Sequence, residues 1–258
     1  MAEPMVVVDN LHVVYRVYGT GADRGTAATA LLRMVKRQRR PSIREVHAIR
    51  GMSFVAYKGD AVGLIGRNGS GKSTLLRAIA GLLPAEHGSV YTIGHAALLG
   101  VNAALMENLT GEKNVMLGCL AMGMSPQTVK ERYQSIVDFS GVGDFINLAM
   151  KTYSTGMGSR LRFAIASAKN QEILLVDEAL ATGDAEFRVK SHQRIDELRE
   201  HAGTVFLVAH NLNEIEQTCN KVIWLEKGRI VQAGENVTEI IDAYLAATGG
   251  EPRVREPQ

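Results

Sequence analysis

The sequence predicts an α/β fold with a mainly parallel sheet, an antiparallel β unit ahead of it and an all-helical insertion within it. Three observations carry that expectation. Apolar runs at 61–65, 173–176 and 204–209 have the length and continuity of strands buried on both faces, and helical periodicity separates them. Residues 5–15 and 46–58 show strand patterning before the first of those runs. From 112 to 169 the pattern turns helical, with no strand signal between.

In chain order, residues 5–8 and 11–15 read as two strands joined by an Asp9-Asn10 turn. A glycine-bearing loop at 19–25 leads to an expected helix at 26–40, closed by Pro41. On a helical wheel Arg33, Lys36, Arg37 and Arg40 share one face, opposite Ala27, Ala28, Leu31, Met34 and Val35. This is a basic insertion over about 16–45. Strand patterning resumes at 46–58, and Lys58-Gly59-Asp60 turns the chain into the strand at 61–65.

Directly after that strand comes Gly66-Arg67-Asn68-Gly69-Ser70-Gly71-Lys72-Ser73, of the form G-x-x-x-x-G-K-S. A helix follows, with Leu75, Leu76, Ile79 and Leu83 at helical spacing until Pro84. Strand, glycine loop and helix in register make a phosphate-binding loop. The glycines let successive N–H groups point inward, and the helix N-terminus adds partial positive charge. Lys72 supplies a full charge for β- and γ-phosphates, and Ser73 a hydroxyl for Mg²⁺. The structural alternative is a chance glycine-rich turn.

Strands are expected at 88–93 and 96–99. In the helical part, Ser125 is an N-cap with Pro126 at the first helical position, and Val129, Tyr133, Ile136 and Val137 share a face. The helical subdomain spans about 110–170. Tyr153-Ser154-Thr155-Gly156-Met157 opens another helix with small residues, an end that binds anions or is simply an ordinary Ser154 cap. The strand at 173–176 ends in Asp177 and Glu178. Carboxylates at the tip of a parallel strand face the ligand crevice of such sheets, where Asp177 would hold Mg²⁺ and Glu178 would orient or deprotonate a water. After a helix at 186–199, His210 ends the strand at 204–209 in the same way and would hydrogen-bond the γ-phosphate. A strand at 221–225, a Lys227-Gly228 turn, a strand at 229–231 and a helix at 235–247 follow. Residues 249–258 read as a disordered tail, leaving one domain over 1–248.

Composition constrains the surroundings. Hydrophobic residues are 46% and charged residues 22%, ordinary for a globular chain. The net charge of +2 argues neither for nor against nucleic acid, so any basic partner site must be local. Residues 1–4 carry no positive n-region, so no secretory signal is expected. No uncharged apolar run approaches the ~20 residues of a spanning helix. Cys119 and Cys219 lack metal-ligand spacing and read as buried thiols.

The phosphate loop, the Ser-x-Gly helix start, Ile173-Leu174-Leu175-Val176-Asp177-Glu178 and the strand-terminal histidine occur in the order seen in ABC-transporter ATPase subunits. The resemblance runs from about residue 5 to 247. It implies a P-loop nucleoside-triphosphatase core and a head-to-tail homodimer with two ATP molecules sandwiched between subunits. Catalytic roles then fall to Lys72, Glu178 and His210. The resemblance assigns ATP contacts to Tyr15 (stacked on adenine), Gly66, Asn68, Gly69, Ser70, Gly71, Lys72, Ser73 and Thr74. Ser154 and Gly156 would act in trans, and Ser73 and Asp177 would hold Mg²⁺. The alternative for Tyr15 is a strand core residue. Ala181-Thr182-Gly183-Asp184 would sense the opposite site.

Tyr-Ser-Thr-Gly-Met in place of Leu-Ser-Gly-Gly-Gln, and Leu109-Thr110-Gly111-Glu112-Lys113-Asn114, resemble the branch that exports lipid-linked polysaccharides such as O-antigen, teichoic acid and cell-wall galactan. That implies an integral membrane permease as partner, a lipid-linked polysaccharide as cargo, the cytoplasmic face of the membrane as location, and no nucleic acid. Two features depart from the pattern. The usual glutamine is missing between 99 and 109, and too few residues follow 247 for a carbohydrate-binding β-domain. The alternatives are an ABC ATPase acting on nucleic acid or the ribosome, or one serving another transported substrate.

Overall fold

The computed structural model describes residues 2–18, 43–99, 105–177, 185–209 and 211–249. Residues 19–42 of the basic insertion, Glu178, residues 181–184, His210 and the tail from 250 lie outside the described residues.

Two sheets share one core. The antiparallel sheet has the order β2-β1-β4, with β1 at Pro4–Tyr18, β2 at Ile43–Tyr57 and β4 at His87–Thr92. The second sheet has the order β5-β6-β7-β3-β8-β9. Its strands are β3 (Ala61–Ile65), β5 (Ala96–Leu98), β6 (Ile173–Asp177), β7 (Thr204–Val208), β8 (Lys221–Glu226) and β9 (Arg229–Gly234). All its pairings are parallel except the β8–β9 hairpin.

Both faces of the parallel sheet are buried, which is why its strands read as unbroken apolar runs. Val62, Leu64, Leu175, Phe206 and Ile223 face the antiparallel sheet and helix α1, Lys72–Ile79. Ile65, Leu174, Val176, Leu207 and Trp224 face the other way, onto Phe163, Phe187, Ile215 and Ile240. Those four belong respectively to α4 (Thr155–Ala166), α5 (Ala185–His201), α6 (Leu212–Thr218) and α7 (Val237–Thr248). The helical part holds α2 (Gly111–Ala121) and α3 (Pro126–Ser140) ahead of α4, and has an apolar cluster of its own around Val115, Val129, Leu161 and Ile165. Phe139, Phe163 and Phe187 join it to the core, with ring centroids 5.6–5.9 Å apart. Cys119 and Cys219 are buried, and desolvation pushes their thiols up to about 11 and about 12.

Three details differ from the sequence expectation. Residues 5–8 and 11–15 belong to one strand, β1, and Asp9-Asn10 is an irregularity within it. Asn10 takes φ +44, its N–H donates to Ser53 Oγ at 2.8 Å, and the register with β2 shifts across it. The buried positions therefore change phase from Val6 and Val8 to Leu11 and Val13, as an inserted residue in a strand requires. The helix after the phosphate loop stops at Ile79, because Gly81 turns left-handed at φ +70; Leu83 lies beyond it. Helix α6 was not expected: it has seven residues, only Ile215 of them buried, and an Asn211 cap.

Candidate functional site

The phosphate loop lies between the end of β3 and the start of α1. Its shape depends on two glycines. Gly66 sits at φ +144, and a Cβ there would overlap the Leu225 carbonyl oxygen and meet Ser70 Oγ at 2.8 Å. Gly71 sits at φ +112, where a Cβ would come within 2.8 Å of the Ala48 carbonyl oxygen. Both dihedrals are strained for any L side chain. Gly66→Ala is expected to destabilise the fold by about 3–5 kcal/mol, since it adds backbone strain to a clash with immovable backbone. Urea unfolding checks this; a midpoint equal to wild type would show that the loop relaxes freely.

The first-turn amides of α1 have no acceptor within the helix, and its N-cap Gly71 offers no side chain. The helix start therefore presents donors outward. Lys72 Nζ donates to the Gly66 carbonyl at 2.6 Å and to that of Arg67 at 3.1 Å. Burial lowers its pKa, and Asp177 partly offsets that. A partly desolvated ammonium held by two loop carbonyls is poised for an anion.

A cavity of about 1200 Å³ opens above this loop. Its floor includes Gly66, Asn68, Gly69, Gly71, Lys72, Ser73 and Thr74, and Asp177 reaches it from the tip of β6. Four cationic residues (Arg50, Arg67, Lys72 and Lys227) line it, with Asp177 the single carboxylate residue among the described ones, so its field favours a polyanion. Tyr15 forms part of one wall, with its hydroxyl 3.4 Å from Thr74 Oγ1. Beside it, Arg16 bridges Glu45 at 3.2 Å and Glu86 at 2.6 Å; with half its side chain exposed, this clasp contributes little stability.

Among the expected residues, Ser70 differs. Its side chain is buried, lies off the cavity wall, and has an Oγ with no hydrogen-bond partner among the described residues; its amide donates to Arg67 O at 3.1 Å. Its carbonyl instead accepts from Gly228 N at 2.9 Å, which brings the β8–β9 turn and Lys227 to the cavity. Ser154 and Gly156 do not line the cavity. Ser154 Oγ caps α4 by accepting from Met157 N at 3.2 Å, and Gly156 is exposed at that helix start. A Cβ on Gly156 would meet nothing nearer than Ser154 Oγ at 3.9 Å.

Sequence reasoning missed Val46, His47, Ala48 and Arg50 from β2, and Leu212 and Tyr244 from α6 and α7. β2 reaches the site because Tyr15 pairs with Val46. Asn114 was noted only as part of a motif. It is fully buried; its amide nitrogen donates to the Met106, Leu109 and Thr110 carbonyls, and its Oδ1 accepts from Met106 N. It ties the loop before α2 to that helix.

The family described as ABC transporter matches residues 49–181, half of the chain. The chain belongs to the ABC transporter ATPase family. A teichoic acids export ATP-binding protein, TagH, of Staphylococcus epidermidis is 35% identical over 241 residues, covering 93% of this chain and 88% of that protein. TagH of Shouchella clausii is 34% identical over 241 residues, covering 93% and 65%. TagH of Bacillus anthracis is 40% identical over 198 residues, covering 77% and 36%. The chain thus spans less than two thirds of these last two relatives. Among solved structures, the dimeric ATP-binding cassette MJ0796 bound to ADP and Pi has a TM-score of 0.65 at 21% identity, over 90% of this chain and 98% of that one. An ATP-binding subunit of an ABC transporter has 0.66 at 21%, over 95% and 93%. These two share the ABC ATPase fold with this chain. Among the described residues no helix is long and apolar enough to cross a membrane.

Proposed function

We propose that this chain is the ATP-hydrolysing subunit of an ABC exporter that moves a lipid-linked polysaccharide of the teichoic acid class across the cytoplasmic membrane. The observation that carries the reading is the cationic cavity over the Gly66–Ser73 loop, in a chain similar to export ATPases over 93% of its length. In this reading the loop amides and Lys72 grip the β- and γ-phosphates, and Tyr15 stacks on adenine, a contact of ~1–3 kcal/mol by analogy with base–aromatic stacking. Ser73 and Asp177 both line the cavity and offer hard oxygen donors, which suits Mg²⁺. When bound, Mg²⁺ neutralises charge on the phosphate oxygens. Glu178, next in the chain after Asp177, takes the role of orienting or deprotonating the attacking water, and His210 that of holding the γ-phosphate.

The exposed Gly156 supports a second copy completing the site. Glycine weakens a helix by roughly 1 kcal/mol against alanine, and neither its dihedral nor its neighbours among the described residues demand it here. A close approach from outside the chain does. In the assembled exporter two copies clasp two ATP molecules, a membrane permease transmits the motion, and the subunit sits on the cytoplasmic face. Gly156→Asp is then expected to abolish ATP-driven dimerisation while ATP binding by the monomer stays within about twofold, because the carboxylate repels only the partner's phosphates. Gel filtration with and without ATP checks this, and loss of monomer binding would place the helix start in the chain's own site.

The export assignment is tested by depleting the chain in its host. The expected result is retention of the lipid-linked polymer inside the cell and its loss from the surface. Unchanged surface polymer, beside intact Mg-ATP hydrolysis by the purified chain, would leave the ATPase reading standing and sink the export reading alone.

A further inference from the structure

We infer that Tyr244, on the C-terminal helix, is a nucleotide-contact residue at the phosphate end of the cavity, and that through it α7 responds to the nucleotide. This rests on the ATP reading above. Val237, Ile240 and Ile241 are buried on the core-facing side of α7, and Tyr244 follows at the i+7, i+4 and i+3 positions from them. It continues that stripe as a half-buried residue, packed on the same cluster as Leu245 after it. That stripe runs out at the cavity, whose wall Tyr244 shares with Leu212 at the start of α6, Val208 and Ala209 at the tip of β7, and Asp177.

The ring is positioned on its other side by Trp224, edge-on at 5.6 Å between centroids and 77° between planes. Trp224 is 8% exposed and pairs in register with Ile65, the residue before Gly66. A short path of packed groups thus leads from the phosphate loop through Ile65 and Trp224 to Tyr244. Among the described residues the Tyr244 hydroxyl has no hydrogen-bond partner. A tyrosine that lines a cationic cavity, with its ring held against a tryptophan, offers a phenol donor matched to a phosphate oxygen.

Trp224 is the chain's only tryptophan, so its emission reads this contact without a label. In the full-length chain, titration with Mg-ATP is expected to shift that emission saturably. Tyr244→Phe keeps the ring against Trp224 and removes only the hydroxyl. It should raise both the emission midpoint and the KM for ATP about threefold to tenfold, the range for one neutral hydrogen bond, with kcat and thermal midpoint close to wild type. Tyr244→Phe with wild-type KM and wild-type emission midpoint would overturn the inference. Equilibrium dialysis of ATP on the wild type runs alongside. If the wild type fails to bind Mg-ATP, the nucleotide reading itself falls; if it binds and Tyr244→Phe is silent, only the role of Tyr244 does.

Discussion

Replacing Lys72 with alanine is expected to lower ATP turnover by about 10²–10³-fold, the cost of removing one preorganised charge donor from a developing oxyanion. Lys72 is the residue on which the site's electrostatics converge. Its ammonium is partly desolvated, lies within the field of Asp177, and is held by two loop carbonyls at 2.6 and 3.1 Å. Those carbonyls give it a position while leaving it uncompensated, so a phosphate replaces weak neutral acceptors with a charged one. Affinity for ATP should fall with turnover, because the same charge acts on bound and reacting phosphates. Stability should change by only about 1 kcal/mol, the net worth of the two hydrogen bonds to Gly66 and Arg67. Phosphate release and equilibrium binding check the first part, and urea unfolding the second. A Lys72→Ala chain that binds ATP as wild type would remove the loop from the phosphate site.

Glu178→Gln should act on the opposite side of the balance. It leaves the loop, Lys72 and Asp177 intact, so ATP binding is expected within about twofold of wild type. Loss of a general base costs about 10²–10⁴-fold in rate. Since ATP is the material between two copies in the proposed dimer, a chain that binds but cannot hydrolyse should accumulate as the dimer. Light scattering in Mg-ATP is expected to show a stable dimer for Glu178→Gln and a transient one for wild type. Turnover near wild type in this variant would show that another group handles the water. Together the two variants separate gripping the phosphates from splitting them.

The elements legible in the sequence are those whose signal is local. A strand buried on both faces has to be apolar along its buried length, so 173–176 and 205–208 announce themselves as runs. A helix that starts with Ser125 and Pro126 declares its own end, and Ser125 does accept from Thr128 N. The phosphate loop is legible for the same reason, since eight consecutive residues carry its glycines, its cation and its hydroxyl. Where a local feature had two structural outcomes, the reading went astray. Asp9-Asn10 has turn chemistry, yet both flanks pair with β2, and only that partner makes the site a bulge rather than a hairpin. Gly81 could have been one more helical residue before Pro84, and instead ended the helix.

By itself the sequence determined the α/β class, the phosphate loop, the strand-end Asp177 and the family's order of motifs, all features written in short contiguous stretches. The tertiary structure alone decided which side chains close the cavity around that loop. Arg50 and Ala48 come from β2 through pairing with β1, Lys227 through the Gly228–Ser70 hydrogen bond, and Tyr244 through a helix packed on Trp224. None of these has a sequence signature, because each position is set by packing between separate segments, and such register leaves no mark in either segment read alone.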